Sequence, residues 1–335
     1  MLPDTQNREP FVTRSAAALM RLEFEERVAP VENLITEGLT LLCGASKIGK
    51  SWFVLSLCCA VSSGRPFLGR KTQQGPVLYL ALEDSEERLQ YRLKKLGEDP
   101  TDDFQYRLKV NTVGMGLLDN LEDWVKLWKP KLIIVDTLQK VRDATPSRAN
   151  LYAEDYRLMG QLKAFADKHR LALVLVHHLN KGKDVADPFD RISGSTGLMG
   201  AADTSIILYR ERGSELATLA YTGRDVWGDD ISLRMCDGQW TVVGHEALER
   251  EAYEKNYIVK TVKALFETAF NGVVETPSEV LKDAIAEKCG NSPYGTVTAV
   301  SQAVSAVAPN LFRFDGISVQ KARLGTKNGF RFIKS

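Results

Sequence analysis

No stretch of this 335-residue chain approaches the ~18–20 consecutive apolar residues that a membrane-spanning helix needs. A basic-then-apolar leader is also missing from the first residues, so the expectation is a soluble, cytoplasmic protein. Net charge is nearly absent: 44 Lys and Arg against 43 Asp and Glu leave +1, which excludes polyelectrolyte behaviour of the whole molecule. Any attraction to nucleic acid must then come from local patches. Cysteine is scarce and unpatterned. Cys43, Cys58, Cys59, Cys236 and Cys289 are odd in number, lack C-x-x-C spacing and mostly sit inside apolar runs. That excludes a disulfide framework and a zinc site, and predicts buried, reduced thiols. Internal repeats and low-complexity tracts are lacking too.

What is present is the balance of an ordinary globular chain, long enough for one α/β domain and a smaller partner. Residues 1–35 are polar and interrupted by Pro3, Pro10 and Pro30; they read as a lead-in or subunit-contact arm with a short helix around 14–26. From Leu39 onward, short apolar runs alternate with amphipathic stretches. Strands are predicted at 39–43, 77–82, 131–135, 171–176 and 204–208, with a weaker one at 107–112. Helices are predicted at 51–62, 84–96 and 151–169. Near-continuous apolar strands of this kind belong to a mostly parallel sheet covered on both faces. Antiparallel strands follow at 216–222, 231–235 and 239–243, and the charged segment 244–256 reads as a linker. The remainder, 257–335, predicts helices at 257–270, 277–288 and 293–307, then a short strand and a hairpin at 317–333. This is the order of a winged helix.

Residues 44–51 spell G-A-S-K-I-G-K-S and satisfy G-x-x-x-x-G-K-[ST]. Gly44, Ala45, Ser46, Lys47, Ile48, Gly49, Lys50 and Ser51 thus form a candidate phosphate loop between an apolar strand and a helical run. Glycines let backbone N–H groups wrap phosphate oxygens, and the helix that follows points its positive end at them. Lys50 supplies charge for the β- and γ-phosphates, and Ser51 a hydroxyl for Mg²⁺. The expected cofactors are therefore ATP and Mg²⁺.

Ligands of an open α/β sheet bind beyond the carboxyl ends of its strands. Glu83 and Asp84 follow one predicted strand, Asp136 a second, and His177 and His178 a third. Asp136 suits the carboxylate that orients the metal shell. Glu83 suits the base for an attacking water, with Asp84 as its rival or as a helix cap.

Together G-A-S-K-I-G-K-S, V-L-Y-L-A-L-E-D-S, L-I-I-V-D-T-L and V-L-V-H-H-L-N-K resemble the RepA-type branch of the RecA/DnaB-like P-loop ATPases over residues 36–243. The resemblance implies a RecA-like sheet flanked by helices, Glu83 as catalytic glutamate and His178 as γ-phosphate sensor, with His177 as the less direct neighbour. It also implies an arginine supplied by the adjacent subunit of a hexameric ring. Arg224 matches best, with Arg210 and Arg212 as rivals. DNA-facing loops would fall at 138–150 and 180–200, which carry Lys140, Arg142, Arg148, Lys181, Lys183 and Arg191, with Phe189 as the available aromatic.

From Leu311 to Ser335, Arg313, Lys321, Arg323, Lys327, Arg331 and Lys334 face a single acid, Asp315. A basic wing of this kind suits phosphate contact on duplex DNA. The resulting expectation is a DNA-stimulated, ring-forming ATPase of a plasmid, phage or mobile element. A recombination or annealing ATPase and a nucleotide-switched DNA-binding regulator stay open as alternatives.

Overall fold

Strands that are apolar at every position need cover on both faces, and the chain supplies it from two sides of one sheet. The computed structural model describes residues 12–143, 151–179, 188–192, 196–211, 213–267, 269, 271–289 and 293–334. These divide into two units, residues 1–242 and 243–335.

The first unit holds α1 (Ala16–Leu19), β1 (Gly38–Gly44), α2 (Lys50–Ser63), β2 (Val77–Ala81), α3 (Glu86–Leu96), β3 (Phe104–Arg107), α4 (Leu117–Trp128), β4 (Leu132–Asp136) and α5 (Leu138–Val141). It continues through α6 (Leu151–His169), β5 (Ala172–His178), α7 (Thr196–Ala201), β6 (Thr204–Arg210), β7 (Leu216–Gly223), β8 (Asp229–Cys236) and β9 (Gln239–Val242). Nine strands form one sheet in the order β3-β2-β4-β5-β1-β6-β7-β8-β9. The six from β3 to β6 are parallel, and β6 to β9 run as an antiparallel meander. The mostly parallel, helix-flanked architecture is that of a RecA-like domain.

Side-chain alternation splits each central strand between two cores. Leu39, Leu41 and Cys43 of β1, with Ile133 and Val135 of β4, pack under α4, α6 and α7. Leu42, Leu132 and Ile134 pack on the other face against Phe53, Leu57 and Val61 of α2. Because α2 lies under the middle of the sheet it is buried on most sides, which explains its apolar run from Trp52 to Leu55 and from Leu57 to Val61. Cys43, Cys58 and Cys59 are buried free thiols, whereas Cys236 is exposed. Burial pushes the Cys43 and Cys59 thiols up to about 12.

Several local expectations are corrected. The weak strand expected at 107–112 forms earlier, where Phe104 pairs with Val77 at the sheet edge. The short helix around 14–26 reduces to α1. Helix α4 was not anticipated, although Leu117, Leu121 and Val125 repeat every four residues and all three are buried. The 180–200 loop contains α7 at its end.

The second unit comprises α8 (His245–Lys255), α9 (Tyr257–Glu267), β10 (Val273–Pro277), α10 (Ser278–Cys289), α11 (Val297–Asp315), β11 (Ile317–Leu324) and β12 (Lys327–Lys334). The charged segment expected as a linker is therefore mostly helix, with Tyr253 buried in this unit's core. Strand β10 falls between the first two expected helices and joins a three-stranded sheet of order β10-β12-β11. Helix α11 runs past the expected end at 307 and through Pro309. Interior proline costs about 3 kcal/mol, but continuing the helix buries Leu311 on the same face as Val300 and Val304. Full burial of a leucine returns about 1.5–3 kcal/mol, and the Gly316 amide closes the last turn on Phe312.

Candidate active site

Strand register brings the sequence-predicted groups to one rim. Asp136 pairs with Ala81 on one side and Val176 on the other, and Gly44 pairs with His178. The carboxyl ends of β2, β4, β5 and β1 therefore finish side by side. Around them opens a cavity of about 600 Å³ whose lining includes Lys50, Ser51, Glu83, Asp136, His178 and Arg210. A cavity of about 630 Å³ under β3 and α4 matches it in size, but its lining contains no glycine.

The loop from Ala45 to Gly49 turns β1 into α2. Lys47 and Gly49 both adopt positive φ, +65° and +107°, a conformation that suits glycine at the second position. A β-carbon on Gly44 would lie 2.6 Å from Ile48 Cδ1 and 2.8 Å from the Leu208 carbonyl oxygen. The backbone is thus packed as tightly as glycine permits. Lys50, the first residue of α2, folds back over this loop and donates to the carbonyls of Gly44 (2.7 Å) and Ala45 (2.8 Å). Burial lowers its pKa, opposed by the charge of Asp136.

Asp136 is buried, and its Oδ2 accepts hydrogen bonds from Ser51 Oγ (3.1 Å) and Tyr79 Oη (2.8 Å). Desolvation raises its pKa, while those two hydrogen bonds pull it down. His178 Nδ1 lies 3.4 Å from Lys50 Nζ. Burial and then the Lys50 charge lower the pKa of this imidazole. His177 is one residue earlier on β5, is buried, and does not line the cavity.

Neighbouring acids divide in the same way. Glu83 is exposed in the cavity wall, where Thr137 Oγ1 donates to its Oε1 at 3.5 Å. The Asp84 side chain is 5 % exposed and engaged by Arg92 (2.6 Å) and Arg88 (3.1 Å). Ser85, not Asp84, caps α3 by accepting from the Arg88 amide.

The β8–β9 hairpin covers the phosphate loop, which no sequence motif announced. Trp240 Nε1 donates to the Gly49 carbonyl at 3.3 Å, and Met235 packs beside it. Arg210 reaches Met235 Sδ at 3.1 Å and stacks over Trp240, while Arg92 stacks over Trp52. Arg224 is elsewhere. Gly223 pairs with Thr204 at the start of β6, level with the start of β1, so Arg224 sits at the end of the sheet opposite the phosphate loop. Its guanidinium donates to the Gly200 carbonyl at 3.1 Å and lies 3.9 Å from Asp203. Arg212, Arg148, Lys181 and Lys183 lie outside the described residues.

With this geometry in place, the similarity to known proteins has a physical footing. Residues 5–184, more than half the chain, match a family model described as AAA domain. The chain belongs to that AAA domain family. The solved ATPase domain of another protein superposes with a TM-score of 0.50 at 13 % identity, covering 62 % of this chain and 85 % of that one. At that identity the likeness speaks for the fold. The first unit is a RecA-like P-loop ATPase domain of the AAA domain family, and among the described residues no helix is long and apolar enough to cross a membrane.

Proposed function

We propose that this protein is a DNA-stimulated, ring-forming ATPase, a RepA-like motor of the replicative-helicase type from a plasmid, phage or mobile element. The observation that carries the reading is the division of the machinery between two ends of one sheet. Lys50, Ser51, Asp136, Glu83 and His178 share a cavity, while Arg224 stands at the far end, its side chain 59 % exposed. A head-to-tail contact between copies brings the two ends together, and such heterologous contacts form a ring where the rotation between copies closes. Trp227, three residues beyond Arg224 and 95 % exposed, suits the anchor of that contact.

The residues fit a magnesium nucleotide. Among the described residues no group of three or more His, Cys, Asp or Glu side chains is placed to hold a metal ion. A divalent cation here keeps water and phosphate oxygens as most of its ligands, the usual habit of Mg²⁺. Bound there, it would neutralise charge building on the phosphates. Ser51 and Asp136 would hold it, and the 44–51 loop amides and Lys50 would cradle the phosphates. Glu83 takes the proton of the attacking water, His178 contacts the γ-phosphate as a neutral imidazole, and Arg224 of the next copy meets the equatorial oxygens.

Support for DNA is narrower than composition implied. Arg142 is tied to Asp155 at 2.8 Å and Phe189 packs against the core, so neither faces outward as a free contact. From α9 onward, the second unit's helix–strand–helix–helix–strand–strand order supports a winged helix. There Arg313, Lys327 and Arg331 pair with Glu249, Glu279 and Glu275. Lys321 and Arg323 remain exposed on the wing for phosphates.

The test combines an ATPase assay, with and without single-stranded DNA, and light-scattering mass. Arg224→Ala should bind ATP normally and lose up to ~10³-fold in turnover. Lys50→Ala should fail through its own phosphate loop. Mixing the two should restore activity, because mixed interfaces join an intact loop to an intact arginine. No recovery despite demonstrated subunit exchange refutes the arginine in trans, and a monomer in ATP and DNA refutes the ring.

A further inference from the structure

Tyr79 carries chemistry that no motif reading singled out. It is among the largest fully buried side chains of the molecule, yet its hydroxyl ends on the candidate metal-orienting carboxylate, 2.8 Å from Asp136 Oδ2. Strand geometry explains the reach. Tyr79 pairs with Ile134, two residues before Asp136 on β4, and so faces the same side of the sheet. Two residues of strand rise about 6.6 Å, which is close to the length of a tyrosine side chain. Desolvation and the Asp136 charge both raise the phenol pKa, so it stays a proton donor.

Ser51 Oγ donates to the same oxygen at 3.1 Å. Oδ1 accepts no hydrogen bond from the described residues, which leaves it as the oxygen directed to an ion. A serine hydroxyl has one proton and two lone pairs, so Ser51 can offer a lone pair to an ion while its proton stays on Oδ2. Of the two donors to Oδ2, Ser51 would also hold the ion, whereas Tyr79 is committed to Asp136 alone.

We infer that Tyr79 is a positioning residue for the metal site: with Ser51 it fixes Oδ2 of Asp136 and so keeps the carboxylate oriented with Oδ1 free for the ion. The inference rests on the phosphate-site reading above. It assigns Tyr79 a role in metal–nucleotide affinity, separate from its share of the core.

The test is a magnesium chloride titration of a fluorescent ATP analogue binding to the full-length protein, with Tyr79→Phe beside wild type. Phenylalanine keeps the ring and deletes the donor. Metal-free nucleotide should bind both proteins alike, while the half-saturating magnesium concentration rises about tenfold in the variant, as expected for one hydrogen bond to a charged group. In an Asp136→Asn background the same substitution should add no further shift, because the partner charge is gone. A purely structural tyrosine predicts a lower melting temperature with an unmoved magnesium requirement, and that result overturns the inference. So does a magnesium shift that persists undiminished in the Asp136→Asn background. If wild type binds no nucleotide, the phosphate-site reading falls and takes this one with it. Normal nucleotide binding with an unmoved magnesium requirement removes the role of Tyr79 alone. Should Tyr79→Phe fail to fold, a crystal structure of wild type with a magnesium nucleotide decides. Retention of the Tyr79–Asp136 bond with Oδ1 turned to the ion is expected, and separation of Tyr79 from Asp136 refutes the role.

Discussion

Exchanging Glu83 for Gln and Asp84 for Asn tests how the structure divides two adjacent acids. Each substitution removes one charge and preserves shape, yet the surroundings dictate different losses. Glu83 lines the cavity and touches only Thr137 weakly, so Glu83→Gln should leave the fold and ATP binding intact. Turnover should fall ~10²–10⁴-fold, the usual contribution of a positioned general base. Asp84 is enclosed and holds Arg92 at 2.6 Å, with the more exposed Arg88 at 3.1 Å adding little after solvent screening. Losing one charge-assisted hydrogen bond costs about 2 kcal/mol. In a domain of this size that is a fall of about 4–8 °C in melting temperature. Arg92 also stacks over Trp52 beside the phosphate loop, so nucleotide affinity should decline modestly while turnover of bound ATP persists. Thermal melts, nucleotide titration and single-turnover hydrolysis separate the two patterns. The assignment is refuted if Asp84→Asn abolishes turnover at an unchanged melting temperature while Glu83→Gln hydrolyses ATP as wild type does.

Gly49→Ala should be poorly tolerated: φ there is +107°, and the added carbon would lie 2.8 Å from both Met235 Sδ and Trp240 Cζ2. A destabilisation of about 1–3 kcal/mol and at least a tenfold loss of nucleotide affinity are expected by melting and titration; full affinity would show that the hairpin moves aside freely. Glu122 on α4 is held at about 2 by Lys168 (2.8 Å) and His169 (2.7 Å) of α6. A carboxylate held below its ordinary value of 4.5 stabilises the fold above that pH, and the contribution is lost as pH falls toward 2. Glu122→Gln should flatten the dependence of melting temperature on pH in that window, and an unchanged slope would remove the pair from the account.

Much of the first unit was legible because its determinants are local. Five apolar runs became β1, β2, β4, β5 and β6, since a strand buried on both faces must be apolar at every position. The phosphate loop was legible for a related reason: the positive φ that Gly49 adopts is a requirement of the local backbone. Parallel topology then sends Glu83, Asp136 and His178 to one rim with no long-range knowledge, because every parallel strand ends on the same side. Helix α4 was legible in principle, through its four-residue repeat, and was obscured by the short irregular stretch before it.

The family resemblance favoured Glu83 and His178, but the physical reason that one member of each adjacent pair faces the cavity is tertiary. Glu83 and Asp84 are equivalent acids until Arg92, eight residues from Asp84, folds across the latter. His177 and His178 differ only by the face that β5 turns to Lys50. The basic excess near the C-terminus was countable from the sequence, but its partners Glu249, Glu275 and Glu279 are 48 to 64 residues away. Tyr79 likewise reads as an ordinary core tyrosine until β4 brings Asp136 within 2.8 Å of its hydroxyl. Composition and periodicity report what a residue needs from its immediate backbone and solvent. A partner distant in sequence is fixed only when strand order and register are fixed, and those follow from the packing of the whole sheet.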